Sequence, residues 1–238
     1  MKCSRLLLAL PLALLAPLTA AAGLQPFVAT YVVIHNGDTI GHATMTLRQI
    51  PGGWDFENRT VGSSGLAALA AADIDEHSQI VSNNGQLQLS RYDYRLSTLV
   101  KSSHREIVAN PATRKITISD KKRVLELPLQ PGVLDQQSVT LGIAQDLANG
   151  KHGTLTYPVA TKNNVDTQRW QVGGVETLKV PAGTMRAVPV RRMRDSPDGR
   201  VTASWFGVDN GYVPVRILQR EKDPDGEILE MQLVSLKK

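Results

Sequence analysis

The chain is poor in the residues that most often carry chemistry. It has one cysteine, Cys3, among 238 residues. That excludes a disulfide scaffold, a multi-cysteine zinc site and an iron–sulfur cluster. Aromatic residues make up only 5% of it, and its glycines follow no fixed period, which excludes a collagen-like chain. Beyond the N-terminal segment no apolar run approaches the roughly 20 residues that a membrane-spanning helix takes. The histidines are His35, His42, His77, His104 and His152. No two stand at i, i+4 on a helical pattern or as H-x-H on a strand, so no metal ligand set and no cofactor is identified. Charge is nearly balanced, with 27 Lys and Arg against 22 Asp and Glu. This small basic excess argues against a nucleic-acid-binding role.

What is present first is an address. Lys2 and Arg5 precede an apolar stretch over residues 6–18, and Ala20-Ala21-Ala22 follows. This is the layout of a secretory signal cleaved after about Ala22, with residues 23–238 as one mature domain. The only cysteine lies in the charged region rather than at the cleavage point, so lipidation is not expected. The expected location is the periplasm, with no transmembrane segment after cleavage.

The mature region reads as short strands separated by turns. Residues 25–34 are rich in β-branched and aromatic side chains, and Asn36-Gly37-Asp38 is a hairpin signal. Residues 40–49 alternate, with Thr44, Thr46 and Arg48 opposite Met45 and Leu47. Residues 87–96 alternate too, with Tyr92 and Tyr94 opposite Arg91, Asp93 and Arg95. One segment is predicted helical. Asp135 is its N-cap, Val139, Ile143 and Leu147 recur at four-residue spacing, and Asn149-Gly150 ends it. The expectation is a mainly β domain: a single antiparallel, strongly curved sheet, open β-barrel or sandwich of about a dozen strands with one helix.

Catalytic motifs are hard to find. Gly62-Ser63-Ser64-Gly65 is one residue short of a nucleophile elbow. Asp223-Pro224-Asp225-Gly226-Glu227 starts like a calcium loop but lacks its later ligands, and turn chemistry explains it. Glu76, Asp135 and Glu176 are acids beside apolar segments. An envelope-polysaccharide enzyme would need two of them, Glu76 and Glu176, facing one cleft. Two features point to binding instead. Residues 66–72 are uncharged and apolar, which fits a mobile lid over a groove or a short helix packed on the sheet. Arg186, Arg191, Arg192, Arg194 and Arg200 form a basic strand that fits either a solvated face or a surface for anionic groups. Trp54, Tyr92, Tyr94, Trp170 and Trp205 serve either a stacking platform or the core.

Several pieces in a fixed order complete the reading. They are Phe27-x-x-x-Tyr31, Gly41, Gly65-Leu66, Glu76-x-Ser78 and Tyr92-x-Tyr94. Further on come Asp135-x-x-Ser138, Gly174-x-Glu176, Pro181-x-Gly183, Trp205 and Gly211-x-x-Pro214-Val215. In this order the chain resembles an exported bacterial family, the domain of unknown function DUF3108. The resemblance implies an architecture similar to lipoprotein-carrier folds, curved antiparallel sheets with a helix against the concave face. It implies no activity.

The leading expectation is a non-enzymatic periplasmic binding or carrier protein for an amphiphilic ligand, a lipid or an acylated molecule. Leu66, Leu69, Tyr92, Tyr94 and Trp205 are the candidate ligand contacts, and the five arginines above form the basic surface. The alternative is an envelope interaction protein that holds a protein partner or peptidoglycan on its surface, without a cavity.

Overall fold

The computed structural model describes residues 23–63, 72–194, 200–221, 223 and 226–238. Strands form where hydrophobic alternation places them. β1 (Phe27–His35) and β2 (Asp38–Ile50) meet at a turn in which Asn36 and Gly37 both take positive φ, 48° and 94°. A two-residue hairpin matched to strand twist requires this backbone. The meander continues through β3 (Gly53–Gly62), β4 (Asp73–Asn83), β5 (Gln86–Ser97), β6 (Ser102–Asn110), β7 (Lys115–Asp120) and β8 (Arg123–Pro128). A two-residue strand, β9 (Leu134–Asp135), leads into helix α1 (Val139–Ala148). A second meander follows: β10 (Thr154–Ala160), β11 (Val165–Val172), β12 (Glu176–Val180), β13 (Gly183–Met193), β14 (Val201–Gly207), β15 (Pro214–Arg220) and β16 (Ile228–Lys237).

β1 pairs with β16, so both meanders belong to one sheet. Its order runs from β8 back to β1, then β16, β15, β14, β13, β11, β10 and β9, with β12 attached to β13. Three expectations need correcting. The sheet has 16 strands rather than about a dozen. It is not wholly antiparallel, because β9 runs parallel to β10. The helix begins at Val139 and its N-cap position is Ser138, not Asp135. Asp135 lies in the preceding strand, where its carboxylate accepts the Gln137 and Ser138 N–H groups.

The sheet curls around α1 without closing its ladder. β6 pairs with β5 only from Arg91 onward. The N–H of Leu89 is thereby left for the carbonyl of Val133, at 2.7 Å. At the other end of the seam, Arg123 Nη2 donates to Asn163 Oδ1 at 2.8 Å, and Lys162 Nζ lies 3.2 Å from Asp120. Between these ties Ile107, Ile116, Ile118, Val133 and Ala160 form a small apolar cluster of their own. The main core lies between the concave face and the helix. Val139, Ile143 and Leu147 are buried there, as their spacing predicts, and so are Leu141 and Ala144. Apolar burial all round marks a helix enclosed by the sheet rather than one resting on it. Gly142 permits the close fit: a Cβ there would lie 2.8 Å from Leu134 Cδ1 and 3.2 Å from the Tyr157 ring.

Candidate ligand-binding cavity

A cavity of about 660 Å³ lies between the concave face of the sheet and the start of α1. Alternation decides what lines it, because inward residues recur every second position along each strand. Val33, Met45, Phe56, Val139, Ile217 and Met231 supply an apolar lining. Arg192, Arg194 and Arg200, from β13 and the β13–β14 connection, line the same cavity. Glu76 from β4, Tyr92 and Tyr94 from β5 and Arg105 from β6 complete it on another side.

Glu76 has no ion-pair partner within reach among the described residues. Its Oε1 accepts the Tyr92 hydroxyl at 2.6 Å and its Oε2 accepts Asn58 Nδ2 at 3.3 Å. Burial raises its pKa above the ordinary carboxylate range; Asp135 adds to the rise, while both hydrogen bonds and Arg105 oppose it. Burial, then the charges of Glu76 and Asp135, push the Tyr92 phenol up as well, so Tyr92 stays a donor. The guanidinium of Arg105 lies 5.3 Å from the centroid of the Tyr94 ring, a cation–π contact.

A carboxyl whose folded pKa exceeds its unfolded value stabilises the fold below the unfolded value, and that stability is lost as pH rises through the folded one. Glutamine stays neutral throughout and still accepts from Tyr92. Its amide N–H takes the place of the oxygen that faces Asn58 Nδ2, and pairs with Asn58 Oδ1, which is buried without a partner, once the Asn58 amide turns over. Glu76→Gln should therefore melt a few degrees above the parent at pH 8 and level with it near pH 4. Thermal scans at the two pH values check this; a lower melting point at both would show that the ionised carboxylate is needed.

The cavity also holds buried donors without acceptors. Trp170 Nε1 and Gln168 Nε2 lack a hydrogen-bond partner, and Arg105 Nε has only the Asp120 carboxylate, 4.0 Å away. Trp170 stands directly opposite Arg192 across the β11–β13 ladder. Burial, reinforced by repulsion from Arg194, makes the Arg192 guanidinium release its proton more readily; Asp166 opposes this.

Of the residues singled out from sequence, Tyr92, Tyr94 and Trp170 meet in the cavity. Trp205 does not: its indole N–H donates to Glu176, and Arg216 lies 4.7 Å from its ring centroid. Trp54 packs against the main core. Leu66 and Leu69 lie outside the described residues. The five arginines are not one surface patch. Arg192, Arg194 and Arg200 line the cavity, Arg191 is exposed on the alternate face of β13, and Arg186 pairs with Asp209 at 3.4 Å. Glu176, held by Trp205, does not converge with Glu76. Sequence reasoning missed Asn58, Arg105 and Gln168, whose only signal is their inward position on alternating strands.

One cluster on the outer face has metal-ligand chemistry, Asp55, Glu57 and His77. Arg48 already bridges both acids, at 3.3 Å and 2.9 Å, and His77 Nε2 lies 2.7 Å from Asp55. Each carboxylate therefore already has a partner, with Arg48 shared between the two.

A family model described as a protein of unknown function (DUF3108) matches residues 28–234. No curated protein matches the chain significantly. A solved β-barrel-like protein, domain of unknown function DUF1849, from Brucella abortus is similar over 91% of this chain and 99% of its own. The TM-score is 0.58 and the identity 12%. That likeness shows a shared fold. A crystal structure described as a putative lipoprotein from Parabacteroides distasonis aligns over 90% of this chain and 96% of its own, at TM-score 0.37 and 12% identity.

Proposed function

Since the chain belongs to the DUF3108 family, which is described only as one of unknown function, we propose a function from the chain's own interior. The protein is a periplasmic, non-enzymatic binding or carrier protein for an amphiphilic envelope ligand, a lipid or an acylated molecule. The observation that carries the reading is a single cavity with an apolar lining and three arginines. Its volume of about 660 Å³ falls in the range of roughly 300–1,000 Å³ common for small-molecule sites. Desolvating an alkyl tail contributes about 0.8 kcal/mol per CH₂, so affinity needs no catalytic group. The leader in residues 1–22 supports export, and Cys3 ahead of its apolar stretch supports a protein without a lipid anchor.

A second reading, an envelope interaction protein, has one observation in its favour. Leu99 and Val100, at the tip of the β5–β6 hairpin, are 82% and 90% exposed, and Lys101 follows them. Adjacent apolar side chains on an ordered tip suit contact with a partner.

Native mass spectrometry separates the two. The chain, secreted with its own leader and purified without detergent, should carry a reproducible adduct with the mass of a lipid or acylated molecule. A clean unliganded mass, unchanged after incubation with lipids, would sink the carrier reading and favour the interaction protein.

A further inference from the structure

The donors and acceptors of the cavity do not balance. Its buried orphans are two N–H donors, on Trp170 and Gln168, against one acceptor, Asn58 Oδ1, while Arg105 Nε faces Asp120 Oδ1 at 4.0 Å. The carboxylate oxygens of Glu76 are both engaged, by Tyr92 and Asn58. Arg200 is satisfied by Gln219 at 3.1 Å and Glu221 at 3.3 Å. No described acid lies within ion-pair distance of Arg192 or Arg194. A buried donor left unpaired is destabilising, and with two such donors beside two arginines without an acid the cavity is short of acceptor atoms and of negative charge.

The shortage has a location. Gln168 and Trp170 occupy successive inward positions of β11, Arg192 an inward position of β13, Trp170 faces Arg192 across the ladder, and the exposed Arg194 follows just past the end of β13. These four side chains form one contiguous donor patch. Thr202, from the neighbouring strand β14, lines the cavity beside it. Val33, Met45, Phe56 and Met231, from strands on the other side of β14, are apolar. Charge-assisted hydrogen bonds to oxyanions are about twice as strong as neutral ones, and arginine forks fit carboxylate and phosphate oxygens.

We infer that the β11–β13 patch of Gln168, Trp170, Arg192 and Arg194 is the headgroup site of the cavity, and that the amphiphile it takes is anionic through a carboxylate or phosphate group. This rests on the reading of the cavity as a binding site and adds its selectivity. The headgroup oxygens accept from the Trp170 indole, the Gln168 amide and the two guanidinia, while the tail lies along the apolar wall. The like charges of Arg192 and Arg194, which repel each other, become partners of one anion.

Displacement of the neutral fluorophore N-phenyl-1-naphthylamine from the full secreted chain tests this. Palmitate, hexadecyl phosphate and hexadecanol share one tail and differ in the headgroup. At least one anion should bind about tenfold or more tightly than hexadecanol, and which one does tells carboxylate from phosphate. The double substitution Arg192→Gln, Arg194→Gln should erase that margin and leave hexadecanol binding in place. Added salt should shrink the margin in the parent. If the double variant misfolds, Thr202→Asp, which puts a carboxylate beside the patch, should erase the same margin. Equal affinity for all three ligands, or a margin that survives the substitutions, overturns the headgroup inference and leaves the cavity reading standing. Failure of every alkyl compound to displace the fluorophore overturns both.

Discussion

Asp135→Ala should cost the fold roughly 3–5 kcal/mol, because it strands several buried donors at once. The carboxyl of Asp135 has no solvent exposure. It accepts the Gln137 N–H at 2.8 Å, the Ser138 N–H at 2.9 Å and the Ser138 hydroxyl at 2.6 Å. Ser138 in turn accepts the Asp135 N–H at 2.9 Å, so the two residues lock each other. The lock sets the entry to α1, whose Ser138 makes no side-chain capping bond of its own. At this chain length the loss corresponds to a melting point lower by about 10 °C. Asp135→Asn keeps one acceptor oxygen in the same place and should recover much of the loss. Burial raises the Asp135 pKa, against the opposing bonds from Ser138, Gln137 and Ser78. Its contribution is therefore largest below the ordinary aspartate value and fades as pH climbs through the raised one. The asparagine variant should show a flatter profile of stability against pH. Scanning calorimetry on parent and both variants decides it; an alanine variant that melts with the parent would mean water replaces the carboxyl.

The second large effect is expected at Gly53. A Cβ on this residue would stand 1.9 Å from the carbonyl oxygen of Ile80 and 2.9 Å from its carbon. These are backbone atoms of the paired strand, where Gly53 lies opposite Val81 and Trp54 opposite Ile80. No rotamer change relieves the clash, so Gly53→Ala has to push β3 and β4 apart. Overpacking of this kind costs about 1–3 kcal/mol, occasionally more. The neighbouring glycine is the control. Gly52 takes φ of 76° but has open space around its missing Cβ. Gly52→Ala thus carries backbone strain alone and should cost less. Denaturant unfolding of the two variants reads the difference. A reversed order would show that the turn, not the close strand approach, limits this corner.

The strands were legible because their signals are local. Alternation in β2 and β5 put Met45, Leu47, Tyr92 and Tyr94 on the inward face, where they are found. Asn36-Gly37 and Asn84-Gly85 mark turns whose positive φ values follow from the residues themselves. β9 escaped notice because two residues carry no period. The arginines show a subtler failure. Arg191, Arg192 and Arg194 read together as one basic strand, yet a period of two places Arg191 on the opposite face from the other two. Arg192 instead extends the buried row of Val188 and Val190 into the cavity, and Arg194, exposed just past the strand, lines its edge. Long-range pairs were invisible for a different reason. Tyr31 donates to the carbonyl of Pro214 at a separation of 183 residues, Tyr92 to Glu76 at 16, and Trp205 to Glu176 at 29. All six residues stand in the ordered pieces that gave the family resemblance, but no local pattern says which piece touches which.

The seam between β5 and β10 has a consequence for what the interior can hold. In a fully hydrogen-bonded barrel, strand number and shear together fix the radius. Here, among the described residues, the circuit is completed by a backbone hydrogen bond from Leu89 to Val133 and by isoleucine side chains and two polar ties. Apolar contacts are non-directional, so they slide where a ladder would have to break. The girth of this protein is thereby uncoupled from its strand count: the same chain topology tolerates a narrower or a wider interior, with a gasket of side chains taking up the slack.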